Sequence, residues 1–183
     1  MNPAEWLHRT ATRRPEAPAL FRGARQLADY GAFAGRAAAI AGGLAARGIG
    51  RGSQVALFMT NSTAYLEVLY GIWWAGAAAV PINARLHENE AAWIIADSAS
   101  ALVFADDTSA PPLCPLLPEG IPVLSTHSAE YNALCTAPPL ARPLPLDPGD
   151  MIWLFYTSGT TGKPKGVMLT CANLAAMTFS YFV

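Results

Sequence analysis

The sequence predicts an α/β fold, a mostly parallel sheet flanked by helices. Three observations lead there. Continuous apolar runs recur at 54–59, 77–82 and 101–106, as expected of strands covered on both faces. Segments with helical spacing, 61–75 and 87–98, separate them. Strand and helix therefore alternate from Val55 to Asp106, and such alternation builds βαβ units and a parallel sheet.

The elements follow in order. Asn2 caps a first helix, with Pro3 at its first position, that runs to about Arg13. The stretch PALFRGARQLAD reads as a hairpin turning near Gly23. Apolar residues at helical spacing occupy 30–47 and stop at Gly48. GRGS is a turn and QVALFM, 54–59, a buried strand. Asn61 or Ser62 caps the next helix, which ends at Gly76. AAAVPI is a strand, HENEAAWIIADS (87–98) a helix and ALVFAD (101–106) a strand. Ten of the fifteen prolines then fall between Pro111 and Pro148, so about 107–150 reads as a long connection with one short strand at IPVLS. MIWLFYTS, 151–158, is a strongly apolar strand. GVMLT is another, and Thr170 caps a last helix from Cys171. That helix runs into MTFSYFV with no glycine or proline stop, and its aromatic residues call for a surface to bury against.

Composition narrows the function. The 183 residues suffice for one domain with a core, and 52% apolar with 14% charged marks a globular chain. A net charge of −1 provides no basic field and argues against nucleic acid as the main partner. Cys114, Cys135 and Cys171 show no metal-ligand spacing and read as reduced thiols of a cytoplasmic protein. The N-terminus lacks the apolar core of a signal peptide. The uncharged run 68–84 is broken by Gly71, Gly76, Pro81 and Asn83, so it reads as helix then strand rather than a membrane span.

The chain has two lysines, Lys163 and Lys165, both within TSGTTGKPKG (157–166). Gly159, Gly162 and Gly166 let backbone N–H groups converge. Thr157, Ser158, Thr160 and Thr161 add hydroxyls, and no acid is present. Donors alone suit a polyanion, phosphate above all. The loop is not a Walker A motif: Thr157 stands where that pattern needs its first glycine, and Pro164 follows Lys163. A soluble glycine-rich hairpin is the plain alternative, but a hairpin turn needs only one or two glycines.

YTSGTTGKPKGVMLT resembles the phosphate-loop signature of the acyl-adenylate-forming superfamily, which includes acyl-CoA synthetases, peptide-synthetase adenylation domains and luciferases. GLAARGIGRGSQVAL (43–57), NSTAYLEVLYGIWWAGAAAVPIN (61–83) and ALVFAD resemble family segments in the same order. VPINARL and GVMLTCANL lean toward fatty- or aryl-acyl-CoA ligases. The resemblance implies a two-step reaction: a small-molecule carboxylic acid attacks ATP to give acyl-AMP and pyrophosphate, then coenzyme A takes the acyl group. It implies that Thr157, Ser158, Gly159, Thr160, Thr161, Gly162 and Gly166 wrap phosphates. Lys163 and Lys165 would offset their charge, with Lys165 as the catalytic lysine of this loop. Mg²⁺ would act in the full-length enzyme, its acidic partner lying outside this chain, which has no metal residues of its own. The implied chain is the incomplete front part of a large N-terminal domain, without the C-terminal domain, inactive alone and prone to self-association through exposed sheet edges. A non-catalytic nucleotide- or partner-binding module and an adenylation domain loading a carrier protein are the alternatives.

Other residues have plainer readings. Trp73 and Trp74 are core aromatics or the lining of an acyl tunnel. His87, beside Glu88 and Glu90, belongs to a helix first turn. Asp106 and Asp107 are adjacent at a strand end and point apart. Asn83 and Arg85 follow a strand, where α/β proteins place ligand groups; a loop hydrogen bond and a surface charge are the alternatives.

Overall fold

The computed structural model describes residues 1–157 and 164–182. Its centre is a six-stranded sheet of β3 (Gln54–Phe58), β4 (Ala78–Pro81), β5 (Leu102–Ala105), β6 (Val123–Ser125), β7 (Met151–Thr157) and β8 (Lys165–Thr170), ordered β6-β5-β3-β4-β7-β8. Neighbours are parallel from β6 through β7, and β8 returns antiparallel along β7. A separate antiparallel hairpin, β1 (Pro18–Arg22) and β2 (Arg25–Asp29), turns at Gly23. The mostly parallel α/β sheet anticipated from the apolar runs is therefore present.

The two faces of the sheet carry different helices because side chains alternate along a strand. Val55, Leu57, Ala79, Leu102, Phe104 and Ile152 pack with α1 (Ala4–Arg13), α2 (Tyr30–Ala45), α3 (Thr63–Trp74) and α6 (Ala129–Cys135). Ala56, Phe58, Val80, Val103 and Leu154 face α4 (Glu88–Asp97) and Leu113 of the short α5 (Ala110–Leu113). Interior strands buried on both sides explain their unbroken apolar sequences.

Caps set the helix ends. Asp29, Ser62 and Ser128 accept backbone N–H bonds from Ala32, Tyr65 and Tyr131 at the starts of α2, α3 and α6, so the cap of α3 is Ser62. His87 caps α4 through Nδ1, 3.2 Å from the Asn89 nitrogen, which agrees with its first-turn reading. At the far end, α4 closes on bonds from Ala99 to Ala96 and from Ser100 to Ile95, the Schellman pattern. The left-handed position falls on Ala99, at φ 49°.

The proline-rich connection is more structured than a plain linker. It holds α5, a 3-10 turn (Cys114–Leu116), β6 and α6. Pro115 sits in that turn, where its ring costs no helical bond. Tyr131 and Leu134 of α6 join the core, and a Cβ on Gly42 of α2 would meet the Pro138 carbonyl oxygen just beyond α6. The Asn2 side chain caps α1 by accepting from the Ala4 nitrogen at 2.9 Å. It is also buried, and its amide donates to Trp73 O at 2.5 Å and Leu144 O at 3.0 Å. Trp73 and Trp74 are buried in the core.

Two substitutions test these ends and contacts by urea unfolding. Ala99→Gly is expected to stabilise the fold by about 0.5–1 kcal/mol, because the exposed alanine holds a left-handed conformation that glycine adopts freely. Gly42→Ala is expected to destabilise it, since overpacking at about 1–3 kcal/mol outweighs the roughly 1 kcal/mol of helix propensity gained.

Candidate functional site

The connections out of β3 and β4 leave in opposite senses. The chain after β3 passes through α3 to β4 on one side, and after β4 it passes through α4 to β5 on the other side of β3. The two helices therefore cover opposite faces, and a crevice opens at the carboxyl ends of β3 and β4, where doubly wound sheets bind ligands. A cleft of about 430 Å³ lies there, lined by Met59, Thr60, Asn61, Tyr65, Pro81, Ile82, Asn83, Ala84, Arg85 and Phe155. Asn83 and Arg85 thus both face the cleft, and Asn83 also accepts from the Arg85 nitrogen at 3.0 Å. The loop hydrogen bond expected of Asn83 is present.

Phe155 links the cleft to the glycine- and threonine-rich segment. It lies in β7, two residues before Thr157, and is 46% exposed. Thr157 and Lys165 are register partners, so the hairpin β7–β8 holds the two ends of the 157–166 segment side by side at the end of the sheet. Both are exposed. Gly166 pairs with Tyr156, and a Cβ on it would lie 3.1 Å from Leu154 and 3.3 Å from the Tyr156 ring. Gly166 therefore lets the tyrosine ring pass across β8. Ser158, Gly159, Thr160, Thr161, Gly162 and Lys163 lie outside the described residues. The segment emerges into a strand, so no helix dipole contributes at Lys165.

The base of this hairpin is anchored from the opposite side. Tyr156 donates its hydroxyl to Asp97 at 2.6 Å and packs edge-on against Trp93, ring centres 6.2 Å apart. Burial, then the hydrogen bond to Asp97 and its charge, push the Tyr156 phenol above its ordinary range, so it stays a donor. This α4–β7 tie joins residues 59 apart and had no signal in sequence. Asp106 and Asp107 do point apart: Asp106 accepts the Thr60 nitrogen at 2.7 Å, and Asp107 pairs with His127 at 2.6 Å and with Ser125. Among the described residues no group of three or more acidic, His or Cys side chains could hold a metal.

Comparison with known proteins gives the family and the fold. Residues 7–183 match the AMP-binding enzyme family. The chain belongs to that family. It is 37% identical over 169 residues to a feruloyl-CoA synthase of Amycolatopsis sp, covering 92% of this chain and 33% of the relative. It is 37% identical over 160 residues to the long-chain-fatty-acid–CoA ligase FadD13 of Mycobacterium tuberculosis, covering 84% and 31%. It is 31% identical over 172 residues to surfactin synthase subunit 3 of Bacillus subtilis, covering 94% and 13%. The N-terminal domain of FACL13 from M. tuberculosis superposes with a TM-score of 0.86 at 28% identity, covering 99% of this chain and 47% of that structure. The chain thus spans about a third of the length of the ligases it resembles.

Tyr156→Phe is expected to lower stability by about 0.5–1.5 kcal/mol through loss of the hydrogen bond to Asp97. Amide hydrogen exchange of β7 and β8 should rise more than that of β3. Equal loss across all strands would show that the tie does not act locally on the hairpin.

Proposed function

We propose that this AMP-binding family chain supplies the phosphate-binding loop of an ATP-dependent acid–thiol ligase, acting on a fatty or aryl carboxylic acid and passing the acyl group to coenzyme A. The observation that carries the reading is the pairing of Thr157 with Lys165 beside the crevice at the ends of β3 and β4. It holds a donor-only segment at the sheet edge where ligands enter. The similarity to feruloyl- and fatty-acyl-CoA ligases supports the substrate class.

The roles follow from the donor chemistry. Thr157, Ser158, Gly159, Thr160, Thr161, Gly162 and Gly166 present N–H and hydroxyl groups to the β- and γ-phosphates of ATP. Lys163 and Lys165 offset the charge that moves onto pyrophosphate as it leaves, and preorganised donors of this kind lower the barrier to its departure. Lys165 begins a strand, so its backbone is fixed while its four-carbon stem lets the ammonium follow the leaving group. Mg²⁺ finds no acidic set among the described residues.

In this reading the chain is the front part of the large N-terminal domain of a cytoplasmic enzyme, and alone it does not turn over. The exposed apolar residues of β7 and β8, Phe155, Val167 and Met168, then favour cover by further polypeptide or self-association. The likeness to surfactin synthase subunit 3 keeps a carrier-loading adenylation domain as a second reading. Transfer to a phosphopantetheine carrier in preference to free coenzyme A would establish it.

In the complete ligase, Lys165→Ala is expected to cut ATP–pyrophosphate exchange by about 100-fold or more with unchanged urea unfolding. An unchanged exchange rate would remove Lys165 from the reaction. In the 183-residue chain, pyrophosphate should shift the amide resonances of Thr157 and Lys165. A chain that binds no pyrophosphate would lose the loop assignment altogether.

A further inference from the structure

Helix α4 ends on an acid that helix energetics disfavour. Asp97 is its last residue, where the carbonyl end of a helix repels a carboxylate. Asp97 is exposed and forms no ion pair among the described residues. Among those residues its side chain has one partner, the Tyr156 hydroxyl, which donates to it at 2.6 Å. The placement of this acid therefore serves β7 rather than its own helix.

The helix end that carries Asp97 is firmly closed. The Ser98 nitrogen donates to Ile94 O and the Ser98 hydroxyl to Ile95 O at 3.1 Å. Ser98 and Ser100, both buried, share a further hydrogen bond of 2.8 Å. Trp93 lies one turn before Asp97 on the same side of α4 and meets the Tyr156 ring at a right angle. Hydroxyl and ring are thus held together by one rigid platform.

From that platform a chain of contacts leads to Lys165. The Tyr156 ring crosses β8 at its register partner Gly166, where a Cβ would lie 3.3 Å from the ring. The next pair along the ladder is Thr157 with Lys165. Side chains alternate along a strand, and paired residues share a face. Tyr156 points to α4, so Thr157 and Lys165 point to the opposite face, which Phe155 shares with the crevice. Helix α4 grips the hairpin from behind, one ladder pair away from its lysine.

We propose that Asp97 is a positioning residue of the phosphate site: through Tyr156 and Gly166 it fixes the Lys165 backbone from which the ammonium reaches a phosphate. The phosphate role rests on the function proposed above; the mechanical link from Asp97 to Lys165 does not. The link needs an acceptor at position 97, not a charge. Without that acceptor the ring and the Gly166 backbone shift together, and a hydrogen bond weakens steeply with misalignment.

The test compares Asp97→Ala, Asp97→Asn and Tyr156→Phe in the isotope-labelled 183-residue chain. Position 97 is exposed, so its variants leave the core intact, and urea unfolding verifies that. Without ligand, residual dipolar couplings of the Thr157 and Lys165 amides are expected to change in Asp97→Ala and Tyr156→Phe. They should be unaltered in Asp97→Asn, whose amide oxygen still accepts. Pyrophosphate should bind about ten-fold more weakly to the first two, the loss of one charge-assisted hydrogen bond, and equally well to Asp97→Asn. In a Lys165→Ala background, Asp97→Ala should weaken pyrophosphate no further, because its effect passes through Lys165. Unchanged couplings in Asp97→Ala overturn the proposal. So does equal weakening by Asp97→Asn and Asp97→Ala, or a full Asp97→Ala effect without Lys165. If the unsubstituted chain binds no pyrophosphate, the phosphate role falls with the reading above, while the ligand-free couplings still decide the link, so the two failures are distinguishable.

Discussion

The position of β7 depends on one indole. Its ladder to β4 is short, with Ala79 opposite Trp153 as the register pair, so a few sheet bonds alone would hold it loosely. Trp73, at the end of α3, donates Nε1 to Ile152 O at 3.0 Å and stacks at a tilt on Trp153, ring centres 5.3 Å apart. The same corner collects the rest of the chain. Asn2 binds the Trp73 carbonyl, Trp74 donates to Leu140 O, and the Leu144 nitrogen donates to Trp74 O. A buried tryptophan with its N–H satisfied combines large apolar contact with a directional bond. Here it fixes the N-terminus, the proline-rich connection and β7 against one helix end. Arg51 adds an outer clasp to Asp147 and Asp150, just before β7. That pair is exposed, and exposed pairs contribute little to stability, so the indole is the stronger constraint.

From that anchor the candidate site follows by geometry. With β7 set beside β4, Phe155 reaches the crevice between the ends of β3 and β4, and Thr157 starts the hairpin at its rim. Tyr156 ties the same strand from the other face of the sheet to Asp97. One strand is therefore fixed on both sides immediately before a segment rich in glycine. The two described ends of that segment, Thr157 and Lys165, are thereby held in register.

Much of this was legible in sequence, because the strongest signals are local. Continuous apolar strands, helix caps at Asn61 or Ser62 and at Thr170, and the donor-only segment each depend on a few adjacent residues. The sheet class and the two cleft residues Asn83 and Arg85 followed from them. What escaped was long-range. Helix α6 looked like linker because prolines surround it, yet its Tyr131 and Leu134 are buried under α2. The triple use of Asn2 and the Tyr156–Asp97 bond join residues far apart in the chain. Single polar or apolar residues carry no mark of such partners. Ala99 shows the converse: a left-handed turn was built on alanine, so the glycine that normally signals it was missing.

The β8 edge limits how far the site is defined by these residues alone. Interior strands are buried on both faces, whereas Lys165, Gly166, Val167 and Met168 of β8 are all exposed. Met177, Phe179 and Tyr181, on α7 (Cys171–Phe179) and the turn after it, leave further apolar surface open. Apart from Lys165 at its start, β8 lacks the charges and prolines that usually blunt an open edge. Lys165 sits on this strand and is exposed, so water sets the dielectric around its ammonium. In water, a lysine and a phosphate a few ångströms apart attract weakly; under cover, the same pair attracts several-fold more strongly. The chemistry of Thr157 and Lys165 suits a polyanion, and the attraction of the Lys165 ammonium for one depends on how far that face is exposed to water.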